Sequence, residues 1–208
     1  MTVTAIRSFD KKRSEVLTDE ALRFVLYQTE IKKYGIREGE ALDGETLREI
    51  LTVLLPKRAK LRAMNLLKTR DYTRARLTDK LKEGGYPDAV VEEAVDYVAS
   101  YRYIDDERYA RDFIRGRMAR ASRMKIRGEL LQRGIDAGTA DAALEELYAD
   151  DLIAGEDPEI AQIRRQIEKR HFDGKNATWE DRQRFLAAMA RKGFSADKVR
   201  HVLEEDNS

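Results

Sequence analysis

Residues 77–88 read LTDKLKEGGYPD, and the pattern returns as IRGELLQRGID at 126–136 and FLAAMARKGFS at 185–195. Each copy is the end of an amphipathic helix. Apolar residues stand eight and four positions before a glycine: Leu77 and Leu81 before Gly85, Ile126 and Leu130 before Gly134, Phe185 and Met189 before Gly193. Such spacing lays both side chains on one helical face. A glycine placed there suits the left-handed residue that closes a helix. One large apolar residue follows each time (Tyr86, Ile135, Phe194), then Pro87-Asp88, Asp136 or Ser195, able to start another helix. Thr73, Ser122 and Thr178 are the matching N-cap candidates of the helices that enter the glycines.

The glycines are separated by 49 and 59 residues. The first helix of each unit repeats as well: Met64 aligns with Phe113, and Asp157-Pro158 opens the third copy with an N-cap and a first-turn proline, followed by Ile160, Ile163 and Ile167. Three tandem three-helix units follow, over about 57–103, 104–152 and 156–206. The ten extra residues of the last fall near His171–Thr178, a polar loop. Units in series that touch chiefly their neighbours predict an elongated, curved array.

Upstream, Thr2–Phe9 alternates with β-branched residues, and Glu15–Thr18 and Leu22–Leu26 are short apolar runs, which predicts a meander of two or three strands. Tyr27–Tyr34 suits a short helix stopped by Gly35. Asp43 caps a helix with Leu47, Ile50, Leu51, Leu54 and Leu55 inward, interrupted by Pro56. A second helix, Lys57–Arg70, turns Leu61, Met64 and Leu66 or Leu67 inward. The fold class is therefore mainly α with a small N-terminal β segment. The expected divisions are a β-rich segment at 1–42, a linking helix with the first repeat at 43–103, the second repeat at 104–152 and the third at 153–208.

The formal charge of +1 conceals a division. Residues 57–133 hold 20 Lys and Arg against 12 Asp and Glu, whereas 134–160 hold nine acids and no base. The basic character peaks in Tyr103–Arg127, where Asp105 is the expected cap of a helix to Arg120, Asp106 and Glu107 suit its dipole, and Ile104 sits where a hydrophobic staple would. Tyr109, Ala110, Phe113 and Ile114 share one side. Arg108, Arg111 and Arg115 share the other, continued by Arg120, Arg123, Lys125 and Arg127, with Arg117 placed towards the apolar side. These eight are the candidate partner-binding residues, because a guanidinium fork suits carboxylate and phosphate alike. Ordinary exposed pairs with acids such as Asp112 are the plainer reading. Tyr101, Tyr103, Tyr109, Phe113 and Trp179 are expected to pack rather than to stack on bases.

Chemistry of other kinds is not indicated. His171 and His201 lie apart and outside any metal-ligand spacing, and Asp173-Gly174-Lys175 lacks the glycine and hydroxyl of a phosphate loop. The acid pairs Glu92-Glu93, Glu145-Glu146 and Asp150-Asp151 read as exposed helix faces or ends. No catalytic residue, metal or cofactor is expected. With no cysteine, no apolar run of membrane-spanning length and no signal-like opening, the expected home is the cytoplasm and the expected state a monomer.

The block Tyr103-Ile104-Asp105-Asp106-Glu107-Arg108-Tyr109-Ala110, with Phe113 and Arg115–Arg117, the helix Arg76–Gly85 with Tyr86, and its echoes at Lys125–Ile135 and Arg184–Phe194, resembles the RecX family of regulators of the RecA recombinase. The likeness covers about 57–206 and, more loosely, the N-terminal strands with Tyr34–Gly39. It implies tandem three-helix repeats that lodge in the groove of the RecA filament on DNA and limit its extension and activity in recombination, DNA repair and the SOS response. The partners so implied are that filament and DNA, single- or double-stranded. A direct single-strand-binding repeat protein is the alternative.

Overall fold

The computed structural model describes residues 1–154 and 157–205, with the backbone alone for 150–154. The chain forms two compact units, Met1–Asp105 and Asp106–Ser208.

In the first unit, β1 (Val3–Ser8), β2 (Arg13–Thr18) and β3 (Arg23–Tyr27) form an antiparallel meander in that order. Alternation sends Val16, Phe24 and Leu26 inward. Such a small sheet is marginal alone. It is completed by α1 (Gln28–Lys33) and by the first repeat, whose buried residues belong to the same core cluster as those of the strands. Asp43 caps α2 (Gly44–Glu49) through the Thr46 amide at 2.9 Å.

Pro56 does not interrupt the helix as expected. Ile50–Leu54 widens into a π-helical turn in which the Leu55 amide reaches back to the Ile50 carbonyl, and α3 (Leu55–Leu67) continues with Pro56 in its first turn. A proline lacks the amide and crowds the carbonyl four residues earlier, so a wider turn immediately before it lets the helix pass. Leu61 also departs from expectation: it is exposed, while Ala59 and Ala63 are fully buried. Small residues admit close approach to the helix Asp88–Ser100, and Leu61, about 200° around from Ala59, faces away.

The repeat reading holds. The first comprises α3, α4 (Arg74–Lys82) and α5 (Asp88–Ser100); the second α6 (Asp106–Arg117), α7 (Arg123–Leu131) and α8 (Ala137–Ala154); the third α9 (Pro158–Lys169), α10 (Trp179–Arg191) and α11 (Ala196–Glu205). Thr73, Ser122 and Thr178 accept from the amides three residues on at 3.2, 3.3 and 3.2 Å. The paired apolar residues before the glycines are all buried. Gly85, Gly134 and Gly193 take φ of 81°, 79° and 87°, the left-handed closure.

Several aromatic positions differ from expectation. Tyr101 is 59% and Trp179 74% exposed, and Tyr103 is likewise exposed. Tyr101 and Tyr103 instead stack on each other with centroids 6.0 Å apart. Tyr109 and Phe113 do pack against the second core. Ile104, read as a staple for α6, is a buried member of the first core. α6 stops at Arg117 rather than Arg120, and the next residues turn back through an amide bond from Arg120 to the Arg117 carbonyl. Glu92, Glu93, Glu145 and Glu146 are exposed, whereas the Asp150-Asp151 side chains lie outside the described residues.

Candidate functional site

The eight candidate cations differ in what they touch and in how far they are exposed. Arg117 donates to Glu129 through Nε at 3.1 Å and Nη2 at 2.6 Å, with its guanidinium 5.8 Å from the Phe113 ring centre. Its inward placement thus ties α6 to α7. Arg127 grips Asp141 of α8 by Nε at 2.5 Å and Nη2 at 2.9 Å. The hydrogen bond to Arg127 holds the Asp141 carboxyl below its usual range, and the same pairing raises the Arg127 pKa. Arg111 bonds Glu146 at 3.0 Å and Glu107 at 3.5 Å. Arg123 sets its guanidinium 5.5 Å from the buried Tyr148 ring.

The others are outward. Arg108 and Arg115 are exposed on α6, and Arg115 makes only a loose 3.8 Å pair with exposed Asp112. Arg120 and Lys125 flank the start of α7 and are exposed, and among the described residues no ion pair involves either.

Arg120 and Lys125 open onto a cleft of about 530 Å³ between the second and third repeats, whose other wall carries Arg191 and Lys192 at the end of α10, with Gln162 and Gln166 of α9 at its floor. No acid lines it. The walls are fixed by polar contacts. Glu159, 5% exposed, accepts from the Arg123 amide at 2.9 Å and from Lys198 Nζ at 2.7 Å. Gln162, also 5% exposed, donates to the Met118 carbonyl at 2.6 Å and the Ala121 carbonyl at 3.2 Å. Ser122 Oγ donates to the Lys192 carbonyl at 2.7 Å while capping α7. Burial lowers the Lys192 pKa first, and the positive charges of Arg170, Lys169 and Lys125 lower it further.

The sequence reading located one wall and missed the other. Arg191-Lys192 precedes Gly193, where cations routinely complement a helix C-terminus, so nothing local sets the pair apart. A signal was available in its position: the same turn closes each repeat, and only this copy has two cations directly before the glycine.

Among the described residues no group of three or more His, Asp or Glu could hold a metal ion, and no helix is long and apolar enough to cross a membrane. His201 lies 3.4 Å from Glu205 as an exposed helical pair.

A small antiparallel sheet followed by three three-helix units defines a helical-repeat protein, with a cation-lined cleft between its last two repeats. The chain belongs to the RecX family: the family's first, second and third three-helix domains match residues 59–97, 105–144 and 157–203. It is 28% identical over 205 residues to the regulatory protein RecX of Caldanaerobacter subterraneus subsp. tengcongensis, covering 98% of each chain. The regulatory protein RecX of Halorhodospira halophila is 33% identical over 139 residues, 66% of this chain and 81% of that one. Among solved structures, a regulatory protein RecX superposes with a TM-score of 0.63 at 20% identity, over 98% of both chains. RecX from Lactobacillus salivarius gives 0.62 at 22%, over 74% of this chain and 97% of that one.

Proposed function

We propose that this protein modulates, mainly by inhibition, a RecA recombinase assembled on DNA, lodging in the filament groove and limiting its extension and activity in recombination, repair and the SOS response. Family membership supports the regulatory role. The observation that carries a binding mode is the contrast among the candidate cations: Arg117 and Arg127 hold the second repeat together, while Arg115, Arg120 and Lys125 are exposed. The outward set faces acidic recombinase surface or DNA phosphate. Several weak contacts along tandem repeats act together through their effective concentration. The reading places the protein in the cytoplasm, where the filament is, and needs no cofactor.

Titrating the protein against recombinase-coated single-stranded DNA, with filament ATPase as readout, tests this. Saturable inhibition at concentrations well below those that bind bare DNA is expected. Equal affinity for coated and bare strands, with ATPase untouched, overturns it in favour of a direct nucleic-acid binder.

A further inference from the structure

We propose that the cleft between the second and third repeats is itself a phosphodiester site, in which Arg120 and Lys125 on one wall and Arg191 and Lys192 on the other hold successive backbone phosphates of single-stranded DNA. This goes beyond the recombinase reading and does not depend on it, since it concerns a ligand bound by the chain alone.

The charge in the cleft is uncompensated among its described lining residues. Exposed cations usually serve only as solvated surface, and the same repeats supply a control for that. Three arginines of the second repeat are met by carboxylates: Arg117 by Glu129, Arg127 by Asp141 and Arg111 by Glu146. The cleft departs from that pattern, with four cations lining it and no acid among its described lining residues. Lys192 Nζ donates to the neutral Gln166 side-chain oxygen, and the positive charges of Arg170 and Lys169 bear on it from the end of α9. Bringing like charges together costs free energy that a closely spaced polyanion would offset.

The walls are also preorganised. Arg191 and Lys192 are held against α7 because Gly193, at φ 87°, brings the end of α10 so close that a Cβ there would lie 2.6 Å from Ser122 Oγ. Ser122 then clasps the Lys192 carbonyl. Walls fixed by backbone geometry spare the ligand the cost of ordering them.

The occupant follows from size and chemistry. A recess of about 530 Å³ has room for part of one flexible strand, whereas a double helix, with its two strands held in one stiff rod, is too wide to enter it. Met124, 69% exposed on the lip, offers an apolar contact for an unstacked base.

The test is fluorescence anisotropy of a labelled oligothymidylate with the intact protein across a salt series. The wild type should bind with a log–log salt slope of about −0.7 for each phosphate neutralised. Arg120→Ala/Lys192→Ala should weaken binding roughly tenfold or more and flatten that slope by about 1.4. Arg184→Ala/Arg200→Ala, which removes equal charge from exposed pairs outside the cleft lining, should leave both nearly unchanged. No binding by the wild type, an equal loss in both double variants, tighter binding of a duplex of the same length, or equally effective displacement by polyglutamate would each overturn the proposal. Circular dichroism confirms that every variant compared is folded.

Discussion

Two joints in this molecule are built on the same helix ending and differ in what covers it. In the first unit, Gly85 closes α4 against the sheet: its carbonyl accepts from the Val25 amide at 3.2 Å, and a Cβ on it would lie 2.1 Å from Val25 Cγ2. Strands and repeat share one apolar core there. In the second unit, Gly193 closes α10 against Ser122, and the two repeats keep separate apolar clusters joined through Glu159, Gln162 and Ser122. An apolar joint consumes its surface. A polar joint fixes two walls and leaves the cations on them turned outward.

The comparison can be broken from either side. Leu81→Ala, at a fully buried position of the shared core, should cost about 2–5 kcal/mol in chemical denaturation. A loss below about 1 kcal/mol would mean that the sheet and first repeat do not share a core. Gly85→Ala should come close behind, since a left-handed alanine costs about 1–2 kcal/mol and overpacking Val25 adds about 1–3. Gly193→Ala should cost less, because the Ser122 hydroxyl can rotate away at the expense of a cap worth about 1 kcal/mol. The reverse ranking would contradict the assignment of apolar and polar joints.

Glu159→Ala should cost roughly 1–3 kcal/mol by stripping the Arg123 amide of its acceptor, and should speed hydrogen exchange at that amide in particular. The smallest effect concerns pH. Burial is the largest influence on Lys198 and lowers its pKa, but the hydrogen bonds to Asp157 and Glu159 and the negative charge of both carboxylates together outweigh it and leave the pKa above the ordinary 10.5. A raised folded pKa means stability fully present below 10.5 and lost as pH rises through the folded value. The thermal midpoint of the second unit should therefore fall above about pH 10.5 in the wild type and less steeply in Lys198→Met.

The fold was largely legible because its signals are local. Caps, paired apolar residues and closing glycines each act within one helix turn, so Thr73, Ser122, Thr178 and the three glycines could be read directly. Where packing rather than period decides, the reading failed. Leu61 and Tyr101 stand exposed because alanines carry the α3–α5 contact and because an aromatic can be satisfied by a neighbouring ring. Pro56 was read by its usual effect, without the π-helical turn that accommodates it. Of the candidate site, the basic stretch was visible, but which of its arginines meet carboxylates was not. Nor was the second wall, since Ser122 and Lys192 meet across 70 residues of sequence.

Inhibition of recombinase-filament ATPase by charge-reversed variants tests the central claim most directly, that the outward cations around the cleft bind and the carboxylate-paired arginines do not. Arg120→Glu/Lys192→Glu should raise the concentration for half-inhibition by roughly tenfold or more, while Arg111→Gln/Arg127→Gln, folded as judged by circular dichroism, should stay within about twofold of wild type. The opposite ranking would contradict the account.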